Sequence, residues 1–231
     1  MPSKPKLVIW GAGGYALVVA DMVRLRGEFD VVGFLDDVDP ARRDTDFGGA
    51  KVLGGQEQLD LLQRQGVSHL IFGFGDCEAR LRLTNLVCEK GFQLATAIHP
   101  QATVARDVAI GEGTIIAAGA VVSPGAEIRR NVIINTCASV GHQCIIEDGV
   151  HVGPGVRLGG RVQVAQGTWV GIGATVIDRV RIGARSVIGA GAVVIHDIPD
   201  GVTAYGVPAK VAGSLPNEHQ ERSTGTSLPR G

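Results

Sequence analysis

A chain of 231 residues, 45% hydrophobic and 19% charged, has room for two small domains or one large core. Its net charge of −1, its scattered Lys and Arg, and only six Phe, two Trp and two Tyr leave neither a basic footprint nor a stacking platform for nucleic acid. No apolar run approaches membrane-spanning length, the first apolar stretch (Leu7 to Trp10) is too short for a secretory core, and Cys77, Cys88, Cys137 and Cys144 form no CxxC or zinc spacing, so the expectation is a cytoplasmic protein with free thiols, no bound metal and no membrane insertion.

The chain opens on alternating strands and helices. Lys6 to Trp10 reads as a short buried strand, Gly11-Ala12-Gly13-Gly14-Tyr15-Ala16 as a glycine turn, and Leu17 to Leu25 as a helix. A strand over 31–35 ends at Asp36-Asp37; a helix over 56–65, a strand over 70–74 and a helix over 77–90 follow. This order predicts a small Rossmann-like parallel sheet over residues 1–97, with a crevice at the carboxyl ends of its strands. Glycines there let a phosphate approach the backbone and the following helix N-terminus. A tight turn without ligand satisfies the same residues, and a dinucleotide motif expects glycine where Ala16 stands. A nucleotide bearing one sugar suits the short sheet, and the second glycine loop, Gly73-Phe74-Gly75-Asp76, faces the same crevice.

From residue 98 a different rule takes over. Seventeen positions spaced six apart, from Ile98 through Ile134, Val140 and Val152 to Val194, are all Ile, Leu or Val, with no insertion. Helices repeat every 3.6 residues and amphipathic strands every two; a strict period of six marks a parallel β-helix whose hexapeptides form the faces of a prism. The position four residues after each anchor is small or β-branched, as a narrow interior requires. Glycine often follows the anchor (Gly111, Gly141, Gly153, Gly159), which is expected to supply corners of positive φ. Three faces make an 18-residue coil, so residues 98–213 hold roughly five coils stacked about 4.8 Å apart. Ile198-Pro199-Asp200-Gly201 and Gly206-Val207-Pro208-Ala209-Lys210 read as turns, and 214–231 as a disordered polar tail.

The 18-residue coil is also a ruler. His142, Gly160 and Asp178 stack on one edge; Pro154, Ile172, Ala190 and Pro208 form a small-residue ladder able to hold an extended ligand. His142 and His151 point outward and lie half a coil apart, on opposite sides of one subunit. They can share a site only across an oligomer interface, which a closed trimer would supply three times.

Gly-Ala-Gly-Gly at 11–14, Phe34-Leu35-Asp36-Asp37, Ile98-His99-Pro100, Asn135-Thr136-Cys137-Ala138-Ser139-Val140-Gly141-His142 and Gly206-Val207-Pro208-Ala209-Lys210, in this order, resemble the bacterial nucleotide-sugar N-acetyltransferases that acetylate a 4-amino sugar, relatives of the sialic-acid O-acetyltransferases. The similarity spans 5–212. It implies a left-handed β-helix, a homotrimer, acetyl-CoA as co-substrate bound between subunits, and a nucleotide-linked amino sugar held by the N-terminal domain. It implies His142 as general base assisted by Gln143, and His151 near the acetyl carbonyl. Gly160, Ile172, Ala190, Pro208 and Lys210 would line the CoA groove, and Gly11, Gly13, Gly14, Tyr15, Asp36, Asp37, Gly75 and Asp76 the nucleotide-sugar site. An imidazole can take the proton of an attacking amine, and either the Gly160 N–H or His151 can meet the charge developing on the carbonyl oxygen.

Two residues depart from the pattern. A carboxylate usually follows the base, where this chain has Gln143, so a carboxylate from elsewhere (Glu147 or Asp148) is needed or the charged imidazole is less favoured. Tyr15 stands where histidine is common. Acetylation of a sugar hydroxyl is the alternative activity; a metal-dependent lyase on the same helix would need three convergent histidines, two close in sequence, and a purely structural β-helix would not explain the glycine loops.

Overall fold

The computed structural model describes residues 4–214, so the expected disordered tail lies outside the described residues after Ser214. The N-terminal sheet has six strands, β1 (Lys6–Trp10), β2 (Asp30–Leu35), β3 (Asp46–Phe47), β4 (Ala50–Gly54), β5 (Val67–Phe72) and β6 (Gln93–Leu94), in the order β3-β4-β2-β1-β5-β6. Central β1 pairs in parallel with β2 and β5. Its Leu7, Val8 and Ile9 are fully buried because helices cover both faces: α1 (Gly14–Arg26) packs on Leu7 and Ile9, whereas α2 (Leu59–Arg64) and α3 (Cys77–Glu89) pack on the side of Val8 and Trp10. Helix α1 begins earlier than its apolar period suggests, so the glycine turn is itself the helix start. The helix expected over 56–65 divides into a 3-10 turn, Gln56–Gln58, and α2. Strands β3 and β6, of two residues each, are too short to mark the sequence, and β4 lacks a clean alternation.

Seventeen two-residue strands follow, from Ala97–Ile98 to Val193–Val194, each ending on one of the aliphatic anchors. Partners lie one coil on: Ile115 pairs with Ile133, Val121 with Ser139 and Glu127 with Ile145, all parallel. The strands therefore form three faces. The first contains His151–Val152 and Trp169–Val170, the second Ser139–Val140 and the third Ile145–Ile146. Anchors and the residues two before them fill the interior. Inward hydroxyls are satisfied by backbone: Thr168 donates to Gly183 O at 2.6 Å and accepts from Ser186 N at 3.1 Å.

The glycines after the anchors do something other than expected. The left-handed turn falls two residues later, at positions such as Gly113 (φ 73°). A Cβ on Gly153 would instead meet Val170 O at 2.7 Å, so these glycines admit the backbone of the next coil. The segment read as a terminal turn is part of an antiparallel hairpin, Val202–Gly206 with Ala209–Ser214, that extends the first face.

The two units share a core. Ala95, Ala97, Ile115, Ala117 and Ile133 pack with α1, Leu7 and Ile9. Helix α3 crosses the edge between the third and first faces, where Glu78 pairs with Arg185 at 3.4 Å. Arg80 is completely buried in this seam. Its guanidinium donates to Gly75 O at 2.5 Å and Gly149 O at 2.7 Å, while Asn131 Nδ2 donates to Arg80 O at 3.1 Å. Carbonyl oxygens thus meet both terminal nitrogens of the guanidinium, its Nε is buried without a hydrogen-bond partner among the described residues, and burial lowers the pKa of Arg80.

Candidate active site

A cleft of about 750 Å³ opens at the carboxyl ends of β1, β2 and β5, lined by both glycine loops, Asp36, Asp37, Arg42 and Arg82 among others. Its glycines divide by role. Gly11 has φ 127°, and a Cβ there would meet Gly73 O at 2.9 Å; Gly13 and Gly14 have ordinary φ, and a Cβ on either would meet nothing within 4 Å. Among the described residues nothing fills the space above them, at the N-terminus of α1, so the cradle fits a phosphate.

The acidic residues brace the cleft wall, Asp36 from a buried position and Asp37 and Asp76 from exposed ones. Asp36 accepts from Val38 N at 2.9 Å and from Arg42 Nη1 at 3.1 Å, and Arg42 also donates to Ala12 O at 2.6 Å. Asp37 accepts from Trp10 Nε1 at 2.6 Å and Gln56 N at 2.7 Å. Asp76 caps α3 through Ala79 N at 2.8 Å. Arg42, overlooked in the sequence, brings positive charge to the glycine turn; its only sequence signal is a cation six residues after Asp36.

His151 points out of the prism but not into solvent. It is 7% exposed, stacked on Trp169 with centroids 5.8 Å apart, beside Tyr15. Its Nδ1 lies 3.2 Å from Gly75 O and its Nε2 3.2 Å from Asn135 Nδ2. A carbonyl only accepts, so Nδ1 carries the proton and Nε2 accepts from Asn135. As placed, His151 has no free donor for a carbonyl oxygen, contrary to expectation. Burial, then the Arg80 charge, pushes its pKa down to about 4. The Tyr15 hydroxyl is buried without a hydrogen-bond partner among the described residues, and burial pushes its pKa well up.

His142 is exposed on the edge between the second and third faces. Its Nδ1 lies 3.3 Å from Gln143 Oε1, and its ring lies over Gly160, where an added Cβ would collide with Nε2 and Cε1. The two other carboxylates considered do not reach it: Glu147 accepts from Gln166 N at 3.0 Å and Asp148 from Arg130 N at 2.9 Å. The 154–172–190–208 ladder occupies another edge, between the first and second faces. Gly173 N donates to Pro154 O at 2.9 Å and Gly191 N to Ile172 O at 2.8 Å, fixing its register. Ile172 is 61% exposed, and Ala190, Pro208 and Lys210 are exposed along or beyond it. In one chain the histidine edge, the ladder and the cleft beside the first face therefore remain separate.

Comparison with known proteins gives these features a context. Residues 6–87 match the PglD N-terminal domain family and 161–196 the bacterial transferase hexapeptide (six repeats) family. PerB from Caulobacter crescentus, solved in complex with CoA and GDP-perosamine, is 40% identical over 90% of this chain and 97% of its own, with a TM-score of 0.83. The acetyltransferase domain of PglB from Neisseria gonorrhoeae FA1090, in complex with acetyl coenzyme A, is 35% identical over 90% of this chain and 100% of its own, with a TM-score of 0.84. WeeI from Acinetobacter baumannii AYE, 24% identical with a TM-score of 0.80, shares the fold. The chain belongs to the family of bacterial nucleotide-sugar N-acetyltransferases in which a PglD-type α/β domain precedes a left-handed β-helix of hexapeptide repeats.

Proposed function

We propose that the protein transfers the acetyl group of acetyl-CoA to the primary amine of a nucleotide-linked amino sugar, in active sites between the subunits of a homotrimer. The observation that carries this reading is the pairing of an open glycine cradle at Gly13 and Gly14 with an exposed, hydrogen-bonded His142, in a chain 40% identical to an enzyme holding CoA and GDP-perosamine.

The cleft, with Arg42 beside the glycine turn, would take the nucleotide diphosphate and direct the sugar toward the seam. His142 from a neighbouring subunit would accept the amine proton on Nε2 as nitrogen bonds to the thioester carbon. The carbon–sulfur bond then breaks and the thiolate departs with the electron pair, so no covalent enzyme intermediate is needed. The Gly160 N–H makes no backbone hydrogen bond among the described residues and lies beside His142, which supports it as donor to the developing oxyanion. The exposed ladder of Ile172, Ala190 and Pro208, with Lys210 beyond, supports a groove for the extended CoA arm. Its separation from His142 within one chain supports a closed three-fold assembly that unites different edges. For His151, the neutral ring between Trp169 and Gly75 supports a positioning role where the cleft meets the solenoid.

Thiol release from acetyl-CoA, measured against GDP-, UDP- and dTDP-linked 4-amino sugars, tests the reading. Turnover with at least one, and an acetamide product by mass spectrometry, is expected. Activity confined to free sugars or to hydroxyl acceptors would overturn it.

A further inference from the structure

Eight left-handed corners between the solenoid strands carry glycine, and six carry another residue: Asn131, Cys137, Gln143, Arg161, Arg179 and Arg185, with φ between 51° and 63°. A side chain at such a φ is costly, and backbone outliers of this kind gather where a side chain is needed. Asn131 and Arg185 secure helix α3. Gln143, Arg161 and Arg179 are successive steps of one ladder, immediately beside the ladder of His142 and Gly160. Their register is pinned by Gln143 N to Pro124 O at 3.1 Å, Arg161 N to His142 O at 2.8 Å and Arg179 N to Gly160 O at 2.9 Å.

Arg161 Nε donates to Gln143 Oε1 at 3.1 Å, and the same oxygen lies 3.3 Å from His142 Nδ1. A guanidinium has donors and no acceptor, so the amide atom facing it must be oxygen. That oxygen can only accept, so Nδ1 must carry the imidazole proton and Nε2 the lone pair. With the amide turned over, its NH₂ would face Nδ1, the proton would move to Nε2, and the ring could not take a proton there.

We infer that Arg161 is a positioning residue for catalysis: by fixing the Gln143 amide it holds His142 in the one tautomer that can act as a base through Nε2. This rests on His142 being the base, and it explains how an amide serves where a carboxylate is usual. A carboxylate has two equivalent oxygens and no wrong orientation. Gln143 therefore needs a partner that a glutamate would not.

The test is a double-mutant comparison in the acetyl-transfer assay. Arg161→Gly leaves at this corner the residue that neighbouring corners already carry, so the turn tolerates it. Expected is a loss of about five- to tenfold in kcat, through depletion of the competent tautomer, with KM for both substrates unchanged. Arg161→Lys, another donor without an acceptor, restores most of the rate. In the Gln143→Glu background, Arg161→Gly changes kcat by less than about twofold. The ¹⁵N imidazole spectrum of His142, assigned by the signal missing in His142→Asn, shows the Nδ1–H form in the parent and a mixture in Arg161→Gly. Equal losses in both backgrounds, a loss expressed in the KM for acetyl-CoA, or an unchanged tautomer would each overturn the inference. His142→Asn tests the base assignment separately, because the tautomer reading does not depend on turnover.

Discussion

Two histidines nine residues apart show how one scaffold makes opposite environments. His142 stands on an exposed edge, touched by the Gln143 amide and resting on a glycine. His151 lies under the N-terminal domain with both ring nitrogens engaged and its pKa pushed down to about 4. Half a coil separates them, so whatever covers one leaves the other bare. The solenoid edge is free to do chemistry; the seam is committed to holding two domains together. A histidine's use here follows from which face of the prism it occupies.

The largest expected effect separates the two by substitution. His142→Asn should lower kcat by about 10²–10⁴-fold, the range typical of a lost general base, while the melting temperature and CoA affinity stay close to those of the parent. His151→Asn should instead lower the melting temperature. Calorimetry and steady-state kinetics on the same preparations check the pair, and a His142→Asn protein with full turnover would end the contrast.

The next effect belongs to the seam. The folded His151 ring stays neutral down to about pH 4, whereas the unfolded ring protonates near 6.5. Between those values the unfolded state binds more protons, so stability falls as pH drops, and the contribution of the neutral ring is fully gone below about pH 4. The shift corresponds to on the order of 3 kcal/mol. Urea titrations at intervals from pH 7 to pH 4 should show this slope, and His151→Gln should flatten it. A parent protein whose stability is level across that window would contradict the buried, neutral ring.

Much of this was legible in the residues, and the remainder was hidden for identifiable reasons. The run from Ile98 to Val194 set the coil length because an interior only two side chains wide tolerates no slip. It also placed His142 and His151 on opposite sides. It could not reveal that His151 is covered, since the covering residues, Gly75 and Tyr15, lie far away along the chain, 76 positions before it in the case of Gly75. The glycines after the anchors are visible in the sequence but their role is not: a close approach between coils and a positive φ both demand glycine, and composition does not distinguish them. Asp36 and Asp37 were located in the cleft, yet their role as wall supports depends on Arg42 and Trp10, partners known only from the folded chain.

Gly160 offers a smaller, more local way to sharpen the contrast. A methyl group there would occupy the place of the His142 ring. Gly160→Ala should therefore cost about ten- to a hundredfold in kcat, or roughly 1.4–2.7 kcal/mol of transition-state stabilisation, with little change in melting temperature. Gly153→Ala, whose Cβ would meet Val170 O at 2.7 Å, should do the reverse and weaken the fold while sparing the chemistry of properly folded molecules. An equal loss of stability in both variants would mean that Gly160 is only a packing glycine.

The glycine turn of the cleft divides in the same manner and predicts the smallest effect. At Gly11 a side chain has neither a favourable φ nor room beside Gly73; Gly11→Ala should unfold or strongly destabilise the N-terminal sheet. At Gly13 the backbone accepts any residue and the space above it is open, so Gly13→Ala should fold normally. Because that space is where a phosphate would lie, the added methyl should raise the KM for the nucleotide sugar by about five- to tenfold, with kcat near the parent value and KM for acetyl-CoA unchanged. Such a KM-only change is what removal of uniform binding produces. A Gly13→Ala enzyme with unaltered KM would move the diphosphate away from the α1 N-terminus, and the glycine there would need another explanation.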